Sequence, residues 1–127
     1  LELEVQVVTA RYELREATEL ANRLLTEDPR PTAVFCFSDS IAYGVYAAAR
    51  ELDIAIPAQL SVIGYDDHPI STLLSPPLTS FSWGSKRLVE VAVQMLLAAM
   101  EGDPSVRRRV VIAPELRERG STTPPEA

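Results

Sequence analysis

One cysteine, one histidine and one tryptophan are all that the 127 residues contain of those types, and glycines number five. A single thiol excludes an internal disulfide, and Cys36 stands in an apolar run, which suits a buried thiol better than a reactive one. With His68 as the one histidine, no His/Cys set has metal-ligand spacing. The same residue would have to serve any Ser-His-Asp arrangement, for which no GxSxG elbow exposes a serine; it reads more simply as an exposed turn residue. The glycine-rich phosphate loops GxGxxG and GxxxxGK[ST] are missing. Asp66 and Asp67 are adjacent, so their side chains diverge in an extended turn, which argues against a carboxylate pair working on one bond. These absences argue against an enzyme and give no reason to expect a catalytic residue, a metal or a cofactor.

Long apolar runs are equally scarce. Stretches such as residues 96–100 are far too short to cross a bilayer, so no membrane is expected, and no charged segment followed by an apolar run resembles a signal peptide. Basic residues are outnumbered 12 to 18, and a net charge of −6 repels phosphate backbones. This segment is not expected to bind DNA by itself. Its one basic cluster, Arg107-Arg108-Arg109, reads as a solvated strand entry. What the chain does have is 46% hydrophobic residues, enough for one core and one compact domain. The first residue is Leu1 rather than an initiator Met, which suggests a processed or truncated product.

The order of elements follows from periodicity. Residues 5–9 read as a strand, and Leu14, Ala17, Ala21, Leu24 and Leu25 then fall at helical spacing over residues 14–26. Asp28-Pro29-Arg30-Pro31 ends that helix. Residues 33–37 form an unbroken apolar run, which suits a parallel strand buried on both faces. Ser38 and Asp39 are helix N-cap types, and Ala42, Val45, Tyr46, Ala49 and Leu52 give the helix over 41–52 one apolar flank. A third strand is expected at 61–65, stopped by Asp66-Asp67-His68-Pro69, and a fourth at 78–82 after Pro76-Pro77. The helix over 86–100 carries an apolar stripe so wide that it needs cover on more than one side; Gly102 fits its C-cap and Pro104 bars continuation. Residues 110–113 and 116–119 complete the list of strands. Strands alternating with helices imply an α/β domain with a mostly parallel sheet flanked by helices.

In such sheets ligands sit beyond the carboxyl ends of the strands. That rule selects Tyr12, Ser38, Asp66 and Trp83, each just past a successive strand. An aromatic face, a hydroxyl, a carboxylate and an indole suit the holding of a polar ring: rings pack against its flat face and oxygens hydrogen-bond its substituents. Each also has a plainer reading. Asp66 caps a turn, Ser38 starts a helix, Tyr12 packs on its own helix, or Trp83 fills core. Asp39 reads as structural, a helix N-cap that satisfies orphan amides.

The stretch Pro31-Thr32-Ala33-Val34-Phe35-Cys36-Phe37-Ser38-Asp39-Ser40-Ile41-Ala42-Tyr43-Gly44 resembles the strand and helix start of LacI/GalR effector domains. The likeness continues, in order and spacing, with Ile56-Pro57, Leu60-Ser61-Val62-Ile63-Gly64-Tyr65-Asp66-Asp67 and Ser75-Pro76-Pro77-Leu78-Thr79-Ser80, and closes with Glu115-Leu116-Arg117-Glu118-Arg119-Gly120-Ser121-Thr122. Sugar-binding receptors of transporters share this fold. The Pro-Pro-Leu-Thr segment and the Arg-Gly-Ser-Thr ending favour the regulator branch.

The resemblance implies that residues 1–122 are the C-terminal part of an effector-binding, periplasmic-binding-protein-like domain, and that 123–127 are a polar tail. The helix over 86–101 would pack in an N-terminal subdomain absent from this chain. The resemblance further implies that Asp66 hydrogen-bonds a small-molecule effector, sugar-like or nucleobase-like, that Tyr12 stacks on it, and that Ser38 and Trp83 complete one wall of the cleft. It implies a homodimer centred on Tyr43, Tyr46, Leu73 and Leu74, and operator DNA bound only through a helix-turn-helix head that precedes this region. The location expected of such a transcription regulator is cytoplasmic. Effector binding would shift a population of cleft states and so the spacing of paired heads. Relatives often carry an amide at Ser38 and frequently Gln at Trp83; both changes reduce hydrogen bonding to a sugar, and the indole either favours a flatter or more apolar effector or closes the pocket. They usually have Gly at Ala17.

Overall fold

The computed structural model describes residues 4–102 and 109–124. Pro104, Arg107 and Arg108 lie outside the described residues. Helix α1, Leu14–Leu25, forms because Ala17, Ala21 and Leu25 recur one turn apart and all three are buried. Strand β1, Ala33–Phe35, follows, and helix α2, Asp39–Glu51, buries Ala42, Val45, Ala48 and Ala49 along one stripe. Strand β2, Ser61–Tyr65, alternates half-buried and buried residues, as expected of a strand packed on one side. A 3-10 turn, Pro69–Thr72, leads to strand β3, Thr79–Ser82, then to helix α3, Ser85–Met100, and strand β4, Glu115–Arg117.

The strands lie in the order β1-β2-β3-β4, the first three parallel and β4 antiparallel to β3. The expected mostly parallel α/β sheet is therefore present, with β4 as its one antiparallel member. Registers such as Val34 opposite Val62 and Gly64 opposite Ser80 set Val62 and Leu78 into the core with Leu60, Cys36 and the buried stripe of α2. Helix α1 packs on α2 at the closest approach the backbone permits: a Cβ built on Gly44 would stand 2.5 Å from Ala17 Cβ and 2.8 Å from Thr18 N. Glycine at 44 is thus a packing requirement, and small Ala17 is its counterpart.

The carboxyl-terminal segment closes the sheet. Ser121 is buried; its Oγ accepts from Thr79 N at 2.7 Å and donates to Val62 O at 2.6 Å, while its own carbonyl accepts from Val62 N at 2.8 Å. Arg119 donates to Leu78 O at 2.7 Å and pairs with Asp67. The Arg-Gly-Ser-Thr ending is thereby part of the fold.

Several expectations are corrected. Residues 5–9 form no strand; Val5 and Val7 are exposed, and a strand without a neighbour to pair with has nothing to hold it extended. Residues 110–113 likewise form no strand and lie along α3 instead. The strand at 116–119 shifts to Glu115–Arg117, because Arg119 turns inward to Asp67 and Leu78. The run at 33–37 is buried on one face only. On the other, Phe35 and Phe37 are exposed and form an aromatic strip with Tyr65 and Phe81, Phe37 stacking on Tyr65 at 5.7 Å. No described element covers that face. The cap of α2 is Ser38, whose Oγ accepts from Ser40 N, and Asp39 begins the helix proper. Helix α3 contains no buried residue, so the cover its wide stripe needs is not supplied by the described residues.

Candidate ligand-binding rim

The chain leaves β2 through two residues in left-handed backbone conformation, Asp66 at φ 120° and Asp67 at φ 53°. Such conformations are uncommon for residues with a Cβ and persist where surrounding contacts fix them. Those contacts are visible. Asp66 N donates to Phe81 O at 2.9 Å, Asp67 N to Ser80 Oγ at 3.1 Å, and His68 N to Asp39 Oδ2 at 2.8 Å. The result is an Asp66 side chain held at the carboxyl end of the central strand and exposed to solvent.

Ser38, buried at the end of the stretch after β1, donates its hydroxyl to Asp66 Oδ2 at 3.0 Å. The structure thus unites two of the four rim residues. One carboxylate oxygen of Asp66 is engaged by a neutral donor, and an exposed carboxylate retains acceptor capacity for hydroxyls or N–H groups of a ligand. Tyr12 lies at a bend before α1, 69% exposed, and Trp83 follows β3, 40% exposed. No hydrogen bond or ring contact joins either to Ser38 or Asp66 among the described residues. Both side chains reach solvent, but among the described residues the four do not form one closed pocket.

Behind the rim lies a residue whose part the sequence did not disclose. Asp39 is 1% exposed, and its carboxylate accepts from His68 N, from Ser71 Oγ at 2.5 Å and from Ser80 Oγ at 2.6 Å. It is structural, as expected, but as an acceptor for a distant turn rather than as a helix cap. Gly64 makes room for it: a Cβ there would meet Asp39 Oδ1 at 2.1 Å. The buried carboxylate also leaves its mark on neighbours. Burial, then the charge of Asp39, pushes the Cys36 thiol up to about 12, which makes it inert. Burial likewise raises the Tyr43 phenol, offset by its hydrogen bond to Ser71, with Asp39 and Asp66 raising it further. Serines spread over 71 and 80 offer no spacing signal that could have revealed this cluster.

Of the residues expected at a dimer face, Leu73 is 81% exposed, whereas Leu74 packs against the core. Tyr43 hydrogen-bonds Ser71 Oγ at 3.0 Å, and Tyr46 donates to Pro76 O at 2.9 Å. His68 is exposed, as expected, and its Nδ1 accepts from Ile70 N at 3.3 Å to start the 3-10 turn. Among the described residues, no group of acidic, histidine or cysteine side chains could hold a metal ion, and no helix is long and apolar enough to cross a membrane. A groove of about 350 Å³ between α3 and the segment around Val110 is lined by Leu88, Ala92, Met95 and Ile112 and belongs to α3 rather than to the rim.

Comparison with known proteins agrees with this fold. The periplasmic binding protein-like domain family matches residues 2–122. The HTH-type transcriptional repressor PurR of Vibrio cholerae is 34% identical over 113 residues, which are 89% of this chain and 34% of that protein. The chain spans about a third of the length of the curated relatives it matches. Among solved structures, a LacI family transcriptional regulator from Bifidobacterium animalis subsp. lactis superimposes with a TM-score of 0.85 at 30% identity, covering 91% of this chain and 42% of that one. The lac repressor dimer bound to operator and the anti-inducer ONPF gives 0.82 at 27% identity, covering 89% and 39%. The chain belongs to the periplasmic binding protein-like domain family, in the form that serves LacI/GalR-type regulators as their effector-binding domain.

Proposed function

We propose that this chain is the effector-sensing and dimer-forming portion of a LacI/GalR-type transcription regulator, and that Asp66 is its principal ligand group. The observation that carries this reading is the Asp66 carboxylate, displayed on a left-handed turn at the end of β2 with Ser38 donating to one oxygen. Ligands of open α/β sheets bind at that end of the strands. Tyr12, exposed at the bend before α1, and Trp83, exposed just past β3, supply flat apolar faces against which a sugar or nucleobase-like ring packs. No catalytic role is assigned to any of them.

The remaining wall of the cleft comes from a further subdomain, in which α3 packs; the unburied stripe of α3 supports this assignment. Operator DNA is bound by a helix-turn-helix head and not by this acidic segment, and the protein works in the cytoplasm. The dimer forms through the region around Leu73, the most exposed of the four candidate apolar residues, with Tyr43, Tyr46 and Leu74 behind it. The relatives are repressors, which favours this reading over a transporter receptor.

The test is calorimetry on the full-length protein with a panel of pentoses, hexoses, disaccharides and purine bases. A member of the panel is expected to bind, and Asp66→Ala to weaken it at least tenfold, on the order of 1.5–3 kcal/mol for a hydrogen bond to a charged group. An affinity unchanged by Asp66→Ala overturns the site.

A further inference from the structure

We propose that Asp39 is a positioning residue that makes the turn presenting Asp66 and the 3-10 turn Pro69–Thr72 move as one body, so that the ligand rim and the surface around Leu73 are mechanically linked; the functional meaning of that link rests on the reading of Asp66 given above. The two surfaces share one buried carboxylate. On the rim side, Asp39 Oδ1 accepts from Ser80 Oγ at 2.6 Å, and the same hydroxyl accepts from Asp67 N at 3.1 Å, fixing the residue next to Asp66. On the other side, Asp39 Oδ2 accepts from Ser71 Oγ at 2.5 Å, and Ser71 is the fully buried residue of the 3-10 turn. His68 N, at 2.8 Å from the same Oδ2, lies between the two.

Every partner in this cluster is a neutral donor at 2.5–2.8 Å, and Asp39 itself is 1% exposed. A carboxylate there is stable only while its lone pairs are occupied. Displacing one donor therefore shifts the carboxylate and, through it, the others. Gly64 shows how tightly the position is set: the strand beneath has no side chain, and its absent Cβ is the space that Oδ1 occupies. A capping aspartate at the surface needs no such vacancy. At the far end, Leu73 N closes the 3-10 turn on Ile70 O at 2.9 Å, so a movement of Ser71 is passed to the exposed Leu73.

The experiment is native-state amide hydrogen exchange on the full-length protein without ligand, each rate normalised to core amides such as Cys36, which bonds Ile63 O. Ser71→Ala cuts the link on the 3-10 side. It is expected to raise exchange at Asp67 at least threefold, although Ser71 makes no contact with that amide; Ser80→Ala is expected to do the same at Leu73. A structural role alone would raise all amides together. Tyr43→Phe removes the other hydroxyl partner of Ser71 and leaves the carboxylate link, so Asp67 should exchange as in the unmodified protein. The proposal is overturned if the effect of Ser71→Ala stops at the 3-10 turn, or if Tyr43→Phe reproduces it at Asp67. Failure of Asp66→Ala in the ligand panel would refute the effector site while leaving these exchange outcomes as they are.

Discussion

At the scale of single residues, the chemistry of this chain is set by what burial does to polar groups. The thiol of Cys36, pushed up to about 12 by burial and by Asp39, carries about a thousandfold less thiolate at pH 8 than an ordinary cysteine with a pKa near 9. Its labelling by iodoacetamide at pH 8 is expected to be negligible in the folded protein and prompt in denaturant. Fast labelling without denaturant would contradict the burial seen for Cys36. The sequence disclosed the thiol's fate because an apolar run around one cysteine has a single sensible reading. It disclosed Ser38 and Asp66 as neighbours on a rim because each ends a strand of one parallel sheet. It did not disclose that Asp39 is a shared acceptor, since Ser71 and Ser80 reach it only through the folded chain. Hydrogen-bond partners distant in sequence carry no periodicity to read.

At the scale of elements, the contact of α1 with α2 leaves no room for a side chain at Gly44. Gly44→Ala places a methyl group against Ala17 and the backbone of Thr18, and overpacking of this kind costs about 1–3 kcal/mol. That exceeds the helix-propensity gain of up to about 1 kcal/mol from replacing glycine. A lower melting temperature for Gly44→Ala is expected by calorimetry, partly restored by adding Ala17→Gly, which returns space on the facing helix; no restoration would mean that Thr18 backbone, not Ala17, sets the limit. The helices were legible to within two residues because their apolar stripes repeat every turn. Strands with partners were legible too: Ser61–Tyr65 appears with the bounds expected of it, stopped by the turn residues Asp66-Asp67-His68-Pro69. Residues 5–9 and 110–113 have strand-like composition without a neighbouring strand in the described chain, and composition alone does not make a ladder.

At the scale of the whole molecule, this chain is a third of the length of its curated relatives, and its surface bears the imprint of that fraction. The aromatic strip of Phe35, Phe37, Tyr65 and Phe81 and the unburied stripe of α3 are contiguous apolar surfaces, the kind that marks a contact site. The homodimer proposed above predicts that Leu73→Asp in the full-length protein raises the dissociation constant at least tenfold by sedimentation equilibrium, because a carboxylate would be buried without a partner. A dimer unaffected by Leu73→Asp would move the interface elsewhere. Ser121 has a consequence of another kind. It wedges between β2 and β3 where their ladder starts, satisfying a donor and an acceptor of Val62 and the donor of Thr79. During synthesis Val62 and Thr79 emerge 59 and 42 residues before their fastener does. The nascent sheet therefore waits, with its central seam unlatched, until Ser121 has left the ribosome, and a message cut short before Ser121 yields a domain that cannot lock.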